Sequence, residues 1–328
     1  MKPIFLGVVL RLDKDERLGL WTRLNGAMFQ PYKDTVEGVW RFVSHGQDTS
    51  DLSREDLPHL WIVGSVHGNE AVGAVVLERL MMLAHRGELI EHGELTLVLG
   101  NPAAFLADQR YIDRDLNRAF GLTSASPSNV EAVRQAKLHS LLQSRPPQFV
   151  LDLHSVSSGD HGIIVYPRES SIWAERLGCL GTHFCYSKEH MAGETLIDAA
   201  HRYGAGAMVV ECGHHHSPNT PIVALAHIQK LLHYFKMTSK ALIDEPLPQV
   251  SIITRYRSTK MIRPYRGFKF LFPVETGSAI EAHVPYAIDA RGEHVEDQPA
   301  WLMMPSLEVK PHDQDAGWLC SLEQITQV

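Results

Sequence analysis

An α/β fold is predicted, a mostly parallel or mixed sheet flanked by helices with a small C-terminal β domain, and three observations predict it. Short apolar runs recur, and each stops at an ionisable residue: Trp61–Val63 before His67, Phe149–Leu153 before His154, Met208–Val210 before Glu211. Helix-favouring segments separate these runs, and strands alternating with helices build a parallel sheet. Beyond Asp244-Glu245-Pro246-Leu247-Pro248 the texture changes to short β-like pieces between glycines and prolines.

With 328 residues the chain is long enough for a large core and two domains, residues 1–245 and residues 246–328. Apolar content of 44% and charged content of 21% are those of a soluble globular protein. No apolar run reaches membrane-spanning length, and Met1–Leu6 leads into Arg11, Asp13 and Lys14 too soon for a secretion signal. No membrane partner and a cytoplasmic location are therefore expected. Cys179, Cys185, Cys212 and Cys320 lack C-x-x-C spacing, which fits a reducing compartment and offers no cysteine-based metal cluster. A formal charge of −7 argues against nucleic acid, whose binding needs a basic surface. A small anionic substrate stays open, provided a local cluster of arginines overrides the global field. A homo-oligomer is compatible with the same features.

Residues 1–60 read as peripheral strands and loops, with Phe5–Leu10 apolar, Val39–Val43 mixed and Gln47–Pro58 polar. Leu60–Val63 is then a buried strand, about Glu70–Arg86 a helix, and Leu95–Leu99 a strand leaving through the turn-forming Gly100-Asn101-Pro102. In Asp108–Phe120 the arginines Arg110, Arg114 and Arg118 alternate with Asp113 and Asp115, while Tyr111, Ile112, Leu116 and Phe120 draw the segment onto the core. A buried arginine without a partner is costly, so an aspartate or an anionic ligand is expected beside it. About Asn129–Gln143 is a helix with Glu131 in its first turn, where the macrodipole favours a carboxylate. Phe149–Ser155, Ile163–Tyr166 and Met208–Gly213 are strands, Ser171–Cys185 a helix with its exit, and Pro221–Lys236 a core-facing helix. In the tail, Ser251–Tyr256, Lys269–Phe272 and Ala300–Met303 are β-like. Arg255, Arg257, Arg263 and Arg266 either frame a cleft there or, more simply, solvate a surface.

His67 and Glu70 fall at the carboxyl end of a strand, where open α/β sheets bind ligands. An imidazole and a carboxylate are two ligands of a His2Glu zinc site, which keeps a further position for water. Alone, His-x-x-Glu is a common surface turn, but His154 ends a second apolar strand and supplies the third ligand. Asp152, two residues earlier on the same strand face, can accept the second N–H of His154. Glu211, a carboxylate against a partly apolar wall, suits a general base whose pKa must approach neutrality. His214-His215-His216 reads as a polar loop, because three consecutive histidines cannot all point at one ion.

Taken together, Gly64-Ser65-Val66-His67-Gly68-Asn69-Glu70, Gly100-Asn101-Pro102, Arg110 through Arg118, Asp152-Leu153-His154 and Val210-Glu211-Cys212-Gly213 resemble the succinylglutamate desuccinylase/aspartoacylase family of zinc hydrolases, related to the zinc carboxypeptidases. The resemblance covers about Leu60–Phe235 and, more loosely, the β-rich tail. It implies a zinc carboxypeptidase-like fold and one zinc ion per chain, held by His67, Glu70 and His154. Glu211 would match the residue that activates water and protonates the leaving amine, and Arg110 the arginine that helps zinc polarise the amide carbonyl. Asn117 and Arg118 would match the pair holding the substrate carboxylate, and Asp152 a carboxylate behind the metal ligand. Acyl-side specificity is expected in Ser155–Gly159.

The primary reading is a zinc-dependent amidohydrolase that removes the acyl group from a small anionic N-acyl amino acid, with water activated by Glu211 at the zinc. A zinc carboxypeptidase acting on peptide C-termini would use the same Arg118 clamp. A non-catalytic metal- or ligand-binding module on this scaffold is the third reading, and the presence of Glu211 speaks against it, since a binder needs no base.

Overall fold

The computed structural model describes residues 11–44, 57–121, 128–159, 162–179, 181–191, 193–243, 252–307, 309 and 315–327. Phe5–Leu10, most of Gln47–Pro58 and the proline-bearing stretch Asp244–Pro248 lie outside these residues. The chain runs α1 (Lys14–Leu24), β1 (Val39–Ser44), β2 (His59–Gly64), α2 (Val72–His85), β3 (Gly93–Leu99), α3 (Pro102–Ala107), α4 (Val130–Ser144) and β4 (Phe149–Val156). It continues through β5 (Ile163–Pro167), α5 (Ser171–Arg176), β6 (Gly181–Tyr186), α6 (Leu196–Arg202), β7 (Gly206–His214) and α7 (Thr220–Tyr234). Seven strands follow: β8 (Ile252–Met261), β9 (Lys269–Phe270), β10 (Ser278–Ile280), β11 (Ala287–Asp289), β12 (Gly292–His294), β13 (Ala300–Met303) and β14 (Trp318–Gln327).

The main sheet has the order β1-β3-β2-β4-β7-β5-β6-β8-β14-β13-β10, and β12-β11-β9 form a smaller one. Strands β3, β2, β4 and β7 are mutually parallel, so their carboxyl ends share one edge. Alternation along each strand makes two apolar faces. Leu60, Ile62, Leu151, Leu153, Met208 and Val210 face α2 and α7, whereas Trp61, Val63, Val150 and Val209 face α4 and α6. Full burial of such a side chain stabilises the fold by about 1.5–3 kcal/mol, and both faces of these strands are closed to water. The central strands are therefore a stiff platform. The C-terminal strands β8, β14, β13 and β10 extend the same sheet, and Ile262, Val274, Ile280, Tyr286 and Leu302 form a separate cluster beside them.

Three segments differ from the sequence-based expectation. A helix, α1, occupies Lys14–Leu24, where peripheral strands and loops were expected; its start is fixed by Asp13 and Glu16, each accepting from the other's backbone N–H at 2.9 and 2.8 Å. Ser171–Cys185 holds only the short helix α5 before the chain re-enters the sheet as β6. Helix α6, capped reciprocally by Thr195 and Asp198, was not anticipated from the sequence. No helix among the described residues is long and apolar enough to cross a membrane.

Candidate active site

The chain leaves β2 through Ser65, whose φ of 53° is left-handed, an uncommon conformation for a residue with a side chain. The Ser65 hydroxyl anchors this turn: it donates to the Glu70 carbonyl at 2.9 Å and accepts from the Ala74 N–H at 3.2 Å. Gly64 and Gly73 let the strand end and the first turn of α2 approach closely, since a Cβ on Gly64 would stand 2.5 Å from the Gly73 Cα. His67 and Glu70 are thereby locked at the sheet edge. From α1, the buried guanidinium of Arg17 donates to the Gly68 carbonyl at 2.8 Å, so the N-terminal segment supports the loop.

His67, Glu70 and His154 are buried, and one ligand atom from each lies within 4.8 Å of the others. The two imidazoles share one carboxylate: His67 Nδ1 lies 2.8 Å from Glu70 Oε1, and His154 Nδ1 3.1 Å from Glu70 Oε2. Their far nitrogens rest on aspartates, His154 Nε2 on Asp152 at 3.0 Å and His67 Nε2 on Asp115 at 3.1 Å. Burial alone would raise the Glu70 pKa, but His154 and His67 outweigh it and hold the carboxyl well below the usual range. For His154, burial lowers the pKa, while Asp152 and Glu70 overcome this and hold it well above the usual imidazole range. Two imidazoles and a carboxylate, each imidazole oriented from behind by an aspartate, fit a divalent metal such as zinc. Asp115 is the partner that sequence reasoning missed; it stood in the quoted motif only as one of several alternating charges. Asp115→Asn is expected to weaken affinity for a divalent metal by about 10–100-fold, read by competition with a chromogenic chelator.

In β7, Glu211 pairs in register with His154. Its Oε2 is closed off from solvent and has no hydrogen-bond partner. Burial, opposed by His154 and reinforced by Glu70, pushes its pKa up to about 7. A carboxylate with an unpaired oxygen and a pKa near neutrality can take and return a proton.

The arginine segment is a loop with one 3-10 turn at Leu116–Arg118. Glu131 organises it: fully buried, its carboxylate accepts from the backbone N–H groups of Ile112, Asp113 and Arg114 at 2.7, 2.9 and 3.3 Å, and from the Asn101 amide at 3.0 Å. The macrodipole reading of Glu131 thus accounts for only part of its setting. Arg110 bonds Asp115 at 3.1 Å and stands 3.8 Å from Glu70. Arg118 bonds Asp315 at 3.1 Å, and the Asn117 Oδ1 accepts from the Leu196 N–H at 3.0 Å. Asp315 carried no signal in the sequence, because the tail is far away along the chain.

His67, Glu70, Arg110, Asn117, Arg118, His154 and Glu211 line one cavity of about 430 Å³, and Asp152 stands behind it. Ser155–Ser158 also line it, together with His215, Asp315, and apolar residues from β5, β6, α6 and β14. His215 leaves the polar-loop reading in part: its Nδ1 lies 2.7 Å from the Ser155 hydroxyl, while His214 ends β7. The tail arginines do not line the cavity; Arg255 bonds Glu175 at 3.0 Å and Arg257 pairs with Glu323.

Residues 56–232 match the succinylglutamate desuccinylase/aspartoacylase catalytic domain. A succinylglutamate desuccinylase from Pseudomonas syringae pv. tomato is 26% identical over 301 residues, covering 84% of this chain and 88% of that protein. The N-acyl-aromatic-L-amino acid amidohydrolase (carboxylate-forming) of Rattus norvegicus is 38% identical over 123 residues, 34% of this chain and 38% of that one. The fold is shared with the crystal structure of a succinylglutamate desuccinylase from Vibrio parahaemolyticus, with a TM-score of 0.66, 17% identity and coverage of 88% and 86% of the two chains.

Proposed function

Because this chain belongs to the succinylglutamate desuccinylase/aspartoacylase family, we propose that it is a zinc-dependent amidohydrolase removing the acyl group from an N-acyl amino acid. The observation that carries the reading is the meeting of buried His67, Glu70 and His154 with Glu211 in one cavity. His67, Glu70 and His154 would hold the zinc ion, which when bound would supply Lewis acidity toward the amide carbonyl and water. Glu211, with its unpaired Oε2, takes the proton of the attacking water and delivers it to the leaving amine. Arg110, fixed by Asp115, donates to the oxyanion as the carbonyl becomes tetrahedral. Arg118 holds the substrate carboxylate, exchanging it for Asp315, and Asn117, whose side-chain oxygen is held by the Leu196 N–H, helps to grip that carboxylate from the same cavity wall. Asp152 keeps the His154 ring in its tautomer and orientation.

On this reading residues 1–245 are the catalytic domain and residues 246–328 a β-rich one that lends Met304, Asp315 and Trp318 to the cavity wall. The enzyme is taken to work in the cytoplasm. Steady-state hydrolysis of N-acyl amino acids and C-terminal dipeptides by zinc-loaded and chelator-treated protein tests the proposal. Turnover of N-acyl amino acids is expected, lost on chelation and restored by zinc. Turnover of dipeptides alone would instead mark a carboxypeptidase, and silence from zinc-loaded protein would leave the scaffold a binder.

A further inference from the structure

One sheet face carries the candidate site and then changes character. In register across four strands lie Asp152 of β4, Val209 of β7, Val165 of β5 and Phe184 of β6. The row above starts with His154 and Glu211. Moving away from the metal ligands, therefore, the side chains on the catalytic face turn apolar within one strand. Tyr186 follows Phe184 on the same face two residues on, and its hydroxyl is committed, donating to Asp198 at 2.9 Å and lying 3.3 Å from the Thr195 hydroxyl. What it turns to the cavity is its ring. Ile197 closes the wall from α6, and Trp318 from β14, its ring edge-on to Phe184 at 5.5 Å between centroids.

Resting on the deacylase reading, we propose that the substrate is an N-acyl amino acid with one carboxylate and one apolar group, the apolar group lying in the compartment walled by Val165, Phe184, Tyr186, Ile197, Val209 and Trp318. The arginines that line the cavity, Arg110, Arg114 and Arg118, all belong to one loop, and the compartment wall contributes no charged side chain. A second carboxylate directed along the face would lose its water and gain no partner, whereas an apolar group gains by the same burial. Two of the loop arginines are moreover already matched by carboxylates, Arg110 by Asp115 and Arg118 by Asp315.

The test compares kcat/KM of the zinc-loaded wild-type protein for N-acetyl-L-phenylalanine and N-benzoylglycine with that for N-acetyl-L-aspartate and N-succinyl-L-glutamate. One of the first two is expected to exceed both dicarboxylates by on the order of 10²-fold or more. N-acetyl-L-phenylalanine leading would put the amino-acid side chain in the compartment, and N-benzoylglycine leading would put the acyl group there. Dicarboxylates turning over as well as either would overturn the proposal. Phe184→Leu should lower kcat/KM for the preferred substrate about tenfold more than it lowers that for N-acetylglycine, with the loss carried by KM; an equal effect on both would count against it. Should no N-acyl amino acid be hydrolysed, the deacylase reading fails by itself. Calorimetric titration of the zinc-loaded protein then still decides on the compartment, with dicarboxylates binding as tightly as the apolar ligands as the contrary result.

Discussion

A Glu211→Gln protein is expected to fold, to bind zinc as the wild type does, and to lose on the order of 10²–10⁴-fold in kcat. The substitution keeps the shape of the side chain and removes its capacity to accept a proton. Glu211 is not one of the three clustered residues that could hold a metal ion, and its Oε2 makes no hydrogen bond that the amide would forfeit. The structural cost is therefore small, while the chemical cost falls wholly on proton transfer. Burial first, then the neighbouring Glu70, hold the Glu211 pKa at about 7 against the opposing pull of His154. A bound dication acts in the same direction as His154. The wild-type kcat/KM should accordingly fall on the acid side with a midpoint at or below about 7, because a protonated carboxyl cannot act as a base, and the residual activity of Glu211→Gln should lack that limb. Turnover close to wild type in a Glu211→Gln protein of full zinc content would remove Glu211 from the chemistry.

The parts of the site that sequence reasoning reached are those where chemistry sits at the end of an apolar strand. His67, His154 and Glu211 each follow a run with no other use for an ionisable group, and parallel pairing of β2, β4 and β7 brings such ends to one edge. Asp152 was legible because strand alternation puts it on the face of His154. The partners that escaped notice are long-range or hidden in mixed composition. Asp115 lies 48 positions from His67 in a segment where alternating charge resembles an exposed surface. Asp315 lies 197 positions from Arg118. Strand β6 was read as the exit of a helix because Thr182-His183-Phe184-Cys185-Tyr186 has no long apolar run; its alternation sends Phe184 and Tyr186 to the cavity face and Cys185 to the opposite core. Helix α1 starts on a capping pattern, Asp13 to Glu16, that the sequence does carry, within a segment of otherwise mixed composition.

The second large effect is expected from a residue with no functional group. Gly68 stands between His67 and Glu70, two of the proposed metal ligands, and the backbone of α3 passes directly against it: a Cβ there would collide with the Ala104 carbonyl and the Phe105 nitrogen. These are backbone atoms, so no rotamer change relieves the clash. The loop is also pinned from both sides, the Gly68 N–H donating to the Arg110 carbonyl at 3.2 Å and its own carbonyl accepting from Arg17 at 2.8 Å. Gly68→Ala must therefore displace either α3 or the ligand loop. Overpacking in a closed core costs about 1–3 kcal/mol or more, and a shift of the loop by even a fraction of an ångström separates His67 from Glu70. The variant is expected to melt several degrees below the wild type and to bind zinc weakly, both read in the same set of thermal melts with and without added zinc. Gly19→Ala, in helix α1 with only the flexible Arg23 side chain nearby at 3.5 Å, is the matched control and should be neutral or stabilising, since alanine favours a helix over glycine by about 1 kcal/mol. A Gly68→Ala protein that melted with the wild type and kept its zinc affinity would mean that α3 yields without moving the loop, and that the ligand geometry is held by Ser65 and the Gly64–Gly73 contact alone.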